Sequence, residues 1–187
     1  YLIYGGVASG TMIYGMSWIF GIAGSLDFAA INRALSAGQV PALAVFIALV
    51  LILAGMGYKV ASVPFHMWAP DVYTGAPIPI TTFLAIGSKA AGFALLTRFF
   101  YPALSHLAAS GSWQALAGVD WPQLLLGICM ITMTLGNLAA LEQTNMKRLL
   151  AYSTIVHLGY VLIGLSLGVF GSRLGYQGAV LHILCHG

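Results

Sequence analysis

One stretch of the chain, residues 57–77, reads GYKVASVPFHMWAPDVYTGAP. Its first residues complete an apolar run that begins at Val40, and Pro64 follows Lys59 by five residues. Proline removes a backbone donor and clashes with the preceding helical turn, so the stretch predicts a helix that is broken at Pro64. Broken helices of this kind line ion paths in many transporters, and a simple proline kink for packing is the alternative.

The composition places this broken helix in a membrane. The 187 residues are 60% hydrophobic and 6% charged, with seven Lys or Arg and four Asp or Glu. A soluble domain is about 25% charged, so the few charges here cannot cover the surface of a water-soluble protein of this size. The scattered basic residues also form no patch that would bind nucleic acid. The sequence therefore predicts a protein surrounded by the lipid bilayer.

Apolar runs of roughly 20 residues, the length that crosses a bilayer core of about 30 Å, divide the chain into spans. We predict an all-α, polytopic transmembrane helix bundle that forms a single domain over residues 1–187 and is cut at both ends from a longer protein. The predicted full spans are residues 1–26, 40–63, 78–101, 122–141 and 149–170, and a sixth span starts at residue 176. The predicted connectors are residues 27–39, 102–120, 142–148 and 171–175, with a further loop marked by Gly75, Pro77 and Pro79.

Two lysines stand inside predicted spans, Lys59 and Lys89. With helix ends near Ala69 and Pro79, each lies ten residues, or about 15 Å, inside its helix, and half of a bilayer core is also about 15 Å. A lysine at a helix centre costs about 2.5–3.5 kcal/mol on insertion. Snorkelling of one or both side chains to an interface is the alternative. We predict two midplane lysines that face the bundle interior and transfer protons, a role closed to arginine because it stays protonated.

Histidine can donate and accept a proton near neutral pH, so the histidines near these lysines are candidates for the same chemistry. His66 lies seven residues after Lys59, close to the same helical face, and His157 lies ten residues after Lys147, near mid-depth. We predict proton-transfer roles for His66, His157 and Lys147. The alternatives are hydrogen-bonded structural histidines and an interfacial anchor at Lys147.

His182 and His186 are spaced i, i+4 and are expected to share a helix face. Two ligands make a weak metal site, and no third stands nearby in the sequence, so we predict a proton path there and no metal. Cys129 and Cys185 lie in apolar runs without metal spacing. No P-loop and no GxGxxG after a strand is present, so no cofactor-binding residue is predicted in this chain. A b-type haem on His157 is the alternative that an optical spectrum would exclude.

Residues 57–77 closely resemble the signature of the subunit N (chain 2) family of proton-pumping NADH:quinone oxidoreductase, respiratory complex I. Residues 88–91 (SKAA) and 145–153 (NMKRLLAYS) are similar to the next two motifs of that family. The run Pro-Phe-His-x-Trp-x-Pro-Asp is typical of the wider antiporter-like group. Residues 181–186 (LHILCH) are similar to the histidine-bearing segment of other antiporter-like subunits.

The resemblance implies a fragment of an antiporter-like subunit of about fourteen helices, built from two inverted repeats with a broken helix in each. It implies that Lys59 is the central lysine of the first broken helix and that Lys89 hands protons onward. It also implies that the glutamate paired with Lys59 lies upstream of Tyr1. The implied location is the cell inner (plasma) membrane or an organellar energy-converting membrane.

The function implied by the resemblance is proton translocation coupled to quinone reduction. The chain would act as a subunit of the enzyme without redox chemistry of its own, because NADH, FMN, iron–sulfur clusters and quinone would bind partner subunits. Its partners would be the other membrane subunits of complex I. A sodium or potassium/proton antiporter subunit and a membrane hydrogenase subunit are alternatives from the same superfamily. A purely structural subunit would leave the two buried lysines unexplained.

Overall fold

The computed structural model describes residues 1–38, 40–109, 111–170 and 172–186. Five of the helices in these ranges are long and apolar enough to cross a membrane: α1 (Leu2–Ala23), α3 (Ala42–Val60), α5 (Ile78–Leu104), α6 (Trp121–Leu141) and α7 (Met146–Leu167). The shorter helices are α2 (Phe28–Ser36), α4 (Trp68–Gly75) and α8 (Arg173–His186). A small antiparallel sheet pairs β1 (Ser105–Leu107) with β2 (Trp113–Ala115). The predicted all-α, polytopic helix bundle is confirmed.

The segment between α3 and α4 breaks the helix as predicted, but the break starts before the proline. Ala61 takes a left-handed conformation with a φ of 62°, and α3 ends at Val60. Pro64 lies within a nonhelical link, residues 61–67, rather than at the point of breakage. The prediction that Lys59 lies ten residues inside its helix is therefore wrong, because the left-handed residue ends the helix at once and leaves this lysine in the last turn of α3.

Backbone groups that are freed in this link find partners inside the protein. The N–H of Val63 donates to Oγ1 of Thr132 on α6 at 3.2 Å. The indole N–H of Trp68 donates to the carbonyl oxygen of Tyr58 at 2.9 Å, a bond that joins the two sides of the break. Unpaired backbone groups are unfavourable at membrane depth, so these bonds allow the helix to be interrupted there.

Glycines allow the spanning helices to approach one another closely. A Cβ added at Gly55 of α3 would lie 2.5 Å from Cβ of Met12 on α1. A Cβ added at Gly164 of α7 would lie 2.6 Å from the carbonyl oxygen of Gly175 on α8. Small residues at such crossings are typical of membrane helix packing, where van der Waals contact replaces the hydrophobic effect. The second crossing holds α8 against α7, which brings their histidines together.

Residues 102–120, predicted as an irregular connector, contain the end of α5 and the hairpin of β1 and β2. Asn32 on α2 holds this region, since its side-chain amide donates to the carbonyl oxygens of Pro102 at 3.2 Å and Ser105 at 2.8 Å. The last carbonyls of a helix have no partner within it, so Asn32 caps α5 and fixes α2 to a spanning helix. Four residues of the predicted connectors and of the sixth span lie outside the described residues: Gln39, Ser110, Gly171 and Gly187.

We expect Asn32→Ala to lower the free energy of unfolding by about 1–3 kcal/mol, because it leaves helix-end carbonyls without their donor. Thermal unfolding of the complex containing the full-length subunit, measured in detergent, would show the change. Arg33→Ala is the matched control, because Arg33 is exposed on the same helix and its Nε bonds only to the backbone of Ala29. Equal stability losses in the two variants would contradict this role for Asn32.

Candidate functional site

A cavity of about 430 Å³ lies between α4, α5, α7 and α8. One face of α5 lines it from Ile78 to Phe93, and one face of α7 lines it from Lys147 to Val161. The first turns of both helices lie at one level, since Nζ of Lys147 lies 3.4 Å from the carbonyl oxygen of Thr74, just before α5 begins. A helical stretch of this length rises about 22 Å, more than half of a bilayer core of about 30 Å. The cavity therefore extends from the surface end of both helices to the membrane interior.

Lys89 lies on the wall of this cavity, about 16 Å along α5 from its first residue. The residue is only 8% exposed, and its Nζ has no hydrogen-bond partner among the described residues. Nζ lies 5.9 Å from the centroid of the Tyr73 ring on α4, within the range of about 6 Å for a cation–π contact. The predicted mid-depth position of Lys89 in its helix is confirmed. An amine at this place can hold or release a proton, which a guanidinium cannot.

Three histidines line the same cavity, His157 on α7 and His182 and His186 on α8. Nδ1 of His157 and Nε2 of His182 are 2.9 Å apart, so one ring donates a hydrogen bond to the other. The ring of His157 also stacks on that of His186, with their centroids 3.7 Å apart. The predicted shared face of His182 and His186 is confirmed, because both rings lie against the same histidine. Neutral imidazole has one donor and one acceptor nitrogen, so the hydrogen-bonded rings of His157 and His182 can pass a proton between them.

The cavity carries basic groups and no acid among the described residues that line it. Its titratable lining groups are Lys89, Lys147 and the three histidines, together with the phenol of Tyr73. The acid Asp71 forms an ion pair with Arg148 at 3.3 Å, away from the lining. In the described part of the chain, no group of three His, Cys, Asp or Glu side chains is arranged to hold a metal ion.

Lys59 and His66 do not line the cavity. Lys59 is exposed on the surface of the described chain, and its predicted place in the bundle interior stays a prediction. A Cβ added at Gly92 would lie 3.8 Å from Cγ of Lys59, so the stem of this lysine crosses α5 about one turn beyond Lys89. His66 is half-buried in the link, with Nδ1 unpartnered and its ring centroid 6.4 Å from that of Tyr152. The prediction that His66 shares a helical face with Lys59 is wrong, because α3 ends between them.

Sequence reasoning missed Tyr73 as a residue of this site. Tyr73 is 2% exposed, lines the cavity from α4, and its hydroxyl has no hydrogen-bond partner among the described residues. The sequence could have indicated it, because Tyr73 belongs to the 57–77 motif and comes just before the span that carries Lys89.

The whole chain matches a family model described as NADH:quinone oxidoreductase/Mrp antiporter, transmembrane, over residues 1–187. NADH-quinone oxidoreductase subunit N of Anaeromyxobacter sp. (strain Fw109-5) is 49% identical, over 100% of this chain and 37% of the relative. Subunit N 2 of Sorangium cellulosum is 55% identical, over 89% of this chain and 33% of the relative. The chain thus spans about a third of the length of these curated relatives, and the resemblance to subunit N is confirmed.

Solved structures show the same arrangement of helices. Respiratory complex I from Thermus thermophilus with bound aureothin contains a chain that matches with a TM-score of 0.74 and 34% identity, over 98% of this chain and 36% of that one. An archaeal membrane-bound sulfane sulfur reductase matches with a TM-score of 0.79 and 29% identity, over 100% of this chain and 35% of that one. The Mrp complex of Dietzia sp. matches with a TM-score of 0.79 at 20% identity, over 100% and 32%, which shows the fold alone. With five apolar spanning helices, the predicted multi-pass location in the inner membrane is confirmed.

Proposed function

The chain belongs to the NADH:quinone oxidoreductase/Mrp antiporter transmembrane family, and from this premise we propose that it is part of a proton-translocating membrane subunit of NADH:quinone oxidoreductase. The observation that carries the proposal is Lys89, an amine buried at mid-depth in a spanning helix and open to a cavity lined by three histidines. A charged side chain in such a place is costly and is by default a candidate for an ion path. The subunit names of relatives that are 49% and 55% identical support the same function.

In the proposed mechanism, Lys89 holds a proton at mid-depth and exchanges it with the neighbouring histidines. The pair of His157 and His182 is already joined by a hydrogen bond, and His186 stacks on the first of these rings. Each step moves one proton between nitrogen atoms or between nitrogen and water, so the rings return to neutrality once the proton has passed. Lys147 at the surface end of the cavity is the lysine nearest to the exterior on this route.

Lys59 is proposed to be the second exchange site, outside the cavity. Its stem packs beside Gly92, about one turn from Lys89, and the residue is exposed on the described chain. In the full-length subunit, other helices would cover this surface and supply the glutamate that the family resemblance implies. His66, on the link that follows, is proposed to serve the same side of the route.

Redox chemistry would take place in partner subunits. NADH, FMN, iron–sulfur clusters and quinone are proposed to bind there, and the other membrane subunits of the complex would pack against this one. Quinone reduction would change the energy of the protonated lysines in the membrane arm through these contacts. The chain is thus proposed to act in an enzyme complex without itself carrying a redox centre.

A cation/proton antiporter subunit or a membrane hydrogenase subunit is the second candidate. The structural similarity to the Mrp complex supports it at the level of the fold. The printed names of relatives that are 49% and 55% identical favour the first candidate.

Deletion of the gene for the full-length subunit should remove NADH-driven acidification of inverted membrane vesicles, and a plasmid copy should restore it. A pH-sensitive dye in the vesicles would record the change, and acidification driven by ATP should be unaffected. Retained NADH-driven acidification together with loss of sodium- or potassium-dependent collapse of an imposed pH gradient would overturn the proposal in favour of the antiporter.

A further inference from the structure

We propose that Lys147 is a charged gate at the surface end of the cavity, where its ammonium group excludes hydrated metal cations from the route to Lys89. This inference rests on the proposed function and deepens it by naming the residue that restricts which ion enters. Lys147 is the second residue of α7, and it lines the cavity with the first turns of α5.

The end of α4 positions this gate. Nζ of Lys147 donates to the carbonyl oxygen of Thr74 at 3.4 Å, and Thr74 is the last residue but one of α4. The final carbonyls of a helix are unpaired within it and carry partial negative charge. An ammonium group is therefore favoured at this point, on the rim of the cavity and beside the start of α5.

The neighbouring cation has a different environment. Arg148 pairs with Asp71 of α4 at 3.3 Å, which is the one ion pair among the described residues, and it does not line the cavity. Lys147 lines the cavity, and in the described part of the chain no ion pair joins it to a carboxylate. Of two consecutive cations at the start of α7, one is compensated outside the cavity and the other presents its charge to the entrance.

The described residues that line the interior of the cavity offer sodium or potassium no carboxylate. Lys89 and three histidines follow the entrance, and no described lining residue is an acid. A cleft lined by charge of one sign focuses the field and changes the local concentration of ions, so sodium or potassium would be repelled at the rim. A proton is exchanged between water, amine and imidazole groups and need not enter as a hydrated ion. Lys147 thus makes the route selective for protons.

Reaction of a cysteine inside the cavity with charged thiol reagents would test the gate. Ala85 is half-buried on the lining, one turn from Lys89 towards the entrance. Ala85→Cys would be placed in the full-length subunit of the assembled complex, with Cys185→Ser because Cys185 is exposed. Rates with an anionic and a cationic methanethiosulfonate reagent would then be compared in the resting complex. Lys147→Gln should lower the anion-to-cation rate ratio by roughly tenfold, since it removes the charge at the entrance.

Arg148→Gln is the matched control, because it removes the same charge one residue away but outside the cavity. It should leave the rate ratio within about twofold of the parent value, because Lys147 is still present at the rim. Lys147→Arg should keep the ratio of the parent protein, because arginine also places a cation there. An unchanged ratio in Lys147→Gln, an equal change in Arg148→Gln, or a cysteine that reacts with neither reagent would overturn the gate. Labelling needs no NADH, so the two experiments can fail independently. Labelling ratios that contradict the gate would leave the proposed pumping function standing. A subunit that fails to pump could still show the labelling ratios expected for the gate.

Discussion

Replacing Lys89 by alanine in the full-length subunit should lower proton pumping per NADH oxidised by the complex, through loss of the route that this subunit contributes. The amine is the titratable group of α5 on the cavity, and proton transfer by a positioned side chain accelerates that step by roughly a hundredfold or more. Proton flux through this subunit is therefore expected to fall at least tenfold. Simultaneous recording of NADH consumption and vesicle acidification would give the ratio.

The variant Lys89→Arg distinguishes a role in proton exchange from a role of the positive charge alone. Arginine keeps the positive charge at mid-depth but does not release its proton, so it should lose pumping as alanine does. Ser88→Ala is the matched control, since Ser88 is 7% exposed, has an unpartnered hydroxyl and does not line the cavity. It should pump normally. Full pumping by Lys89→Arg in an assembled complex would show that charge, and not proton exchange, is what this position supplies.

The thermal stability of the Lys89→Ala variant tests, independently of pumping, whether this lysine has a functional or a structural role. The amine is buried without a hydrogen-bond partner, and an unpaired buried charge is destabilising. Thermal unfolding of the assembled complex should therefore show equal or higher stability for the alanine variant. A large loss of stability would instead mean that this lysine holds the helices together.

Gly55→Leu should separate α1 from α3 and prevent assembly of the full-length subunit. The first added carbon would already lie 2.5 Å from Cβ of Met12 and 2.8 Å from the carbonyl oxygen of Ala8. Backbone on the opposing helix cannot move without breaking the crossing, so the expected loss is about 3 kcal/mol, at the upper end of the range for overpacking. The amount of subunit in purified complex, measured by immunoblot, would report it.

Gly10→Leu is the control for this substitution. Gly10 lies on α1, and a Cβ added there meets no atom of the described chain within 4 Å. The same side chain should therefore leave the crossing with α3 intact and cause a smaller loss of assembled subunit. Equal losses in the two variants would show that bulk anywhere on these helices, and not the close crossing at Gly55, causes the defect.

The two lysines show how far reasoning along the sequence reaches. The mid-depth position of Lys89 follows from its distance to the start of α5, and the structure agrees. The same count fails for Lys59, because helical geometry stops at Ala61. A residue count measures depth only where the backbone is continuous, and the sequence points to the proline while the break begins three residues before it.

The histidines show the complementary case. The i, i+4 spacing of His182 and His186 predicts that they share a face, but not what that face contacts. Their contact with His157 depends on the packing of α8 against α7, where Gly164 lies close to the backbone of α8. Positions 25 residues apart in the chain meet through this crossing, which spacing alone cannot predict.

The sequence by itself determined that the chain is a bundle of membrane-spanning helices with one interrupted helix, and it predicted two mid-depth lysines, of which the structure keeps Lys89. The reason is that hydrocarbon requires long apolar runs and internally paired backbone, and both requirements are local properties of the chain. Only the tertiary structure decided which ionisable groups share a cavity and that Lys59 and His66 lie outside it. The rotation of each helix about its axis depends on the surfaces of its neighbours, and those surfaces meet only when the chain has folded.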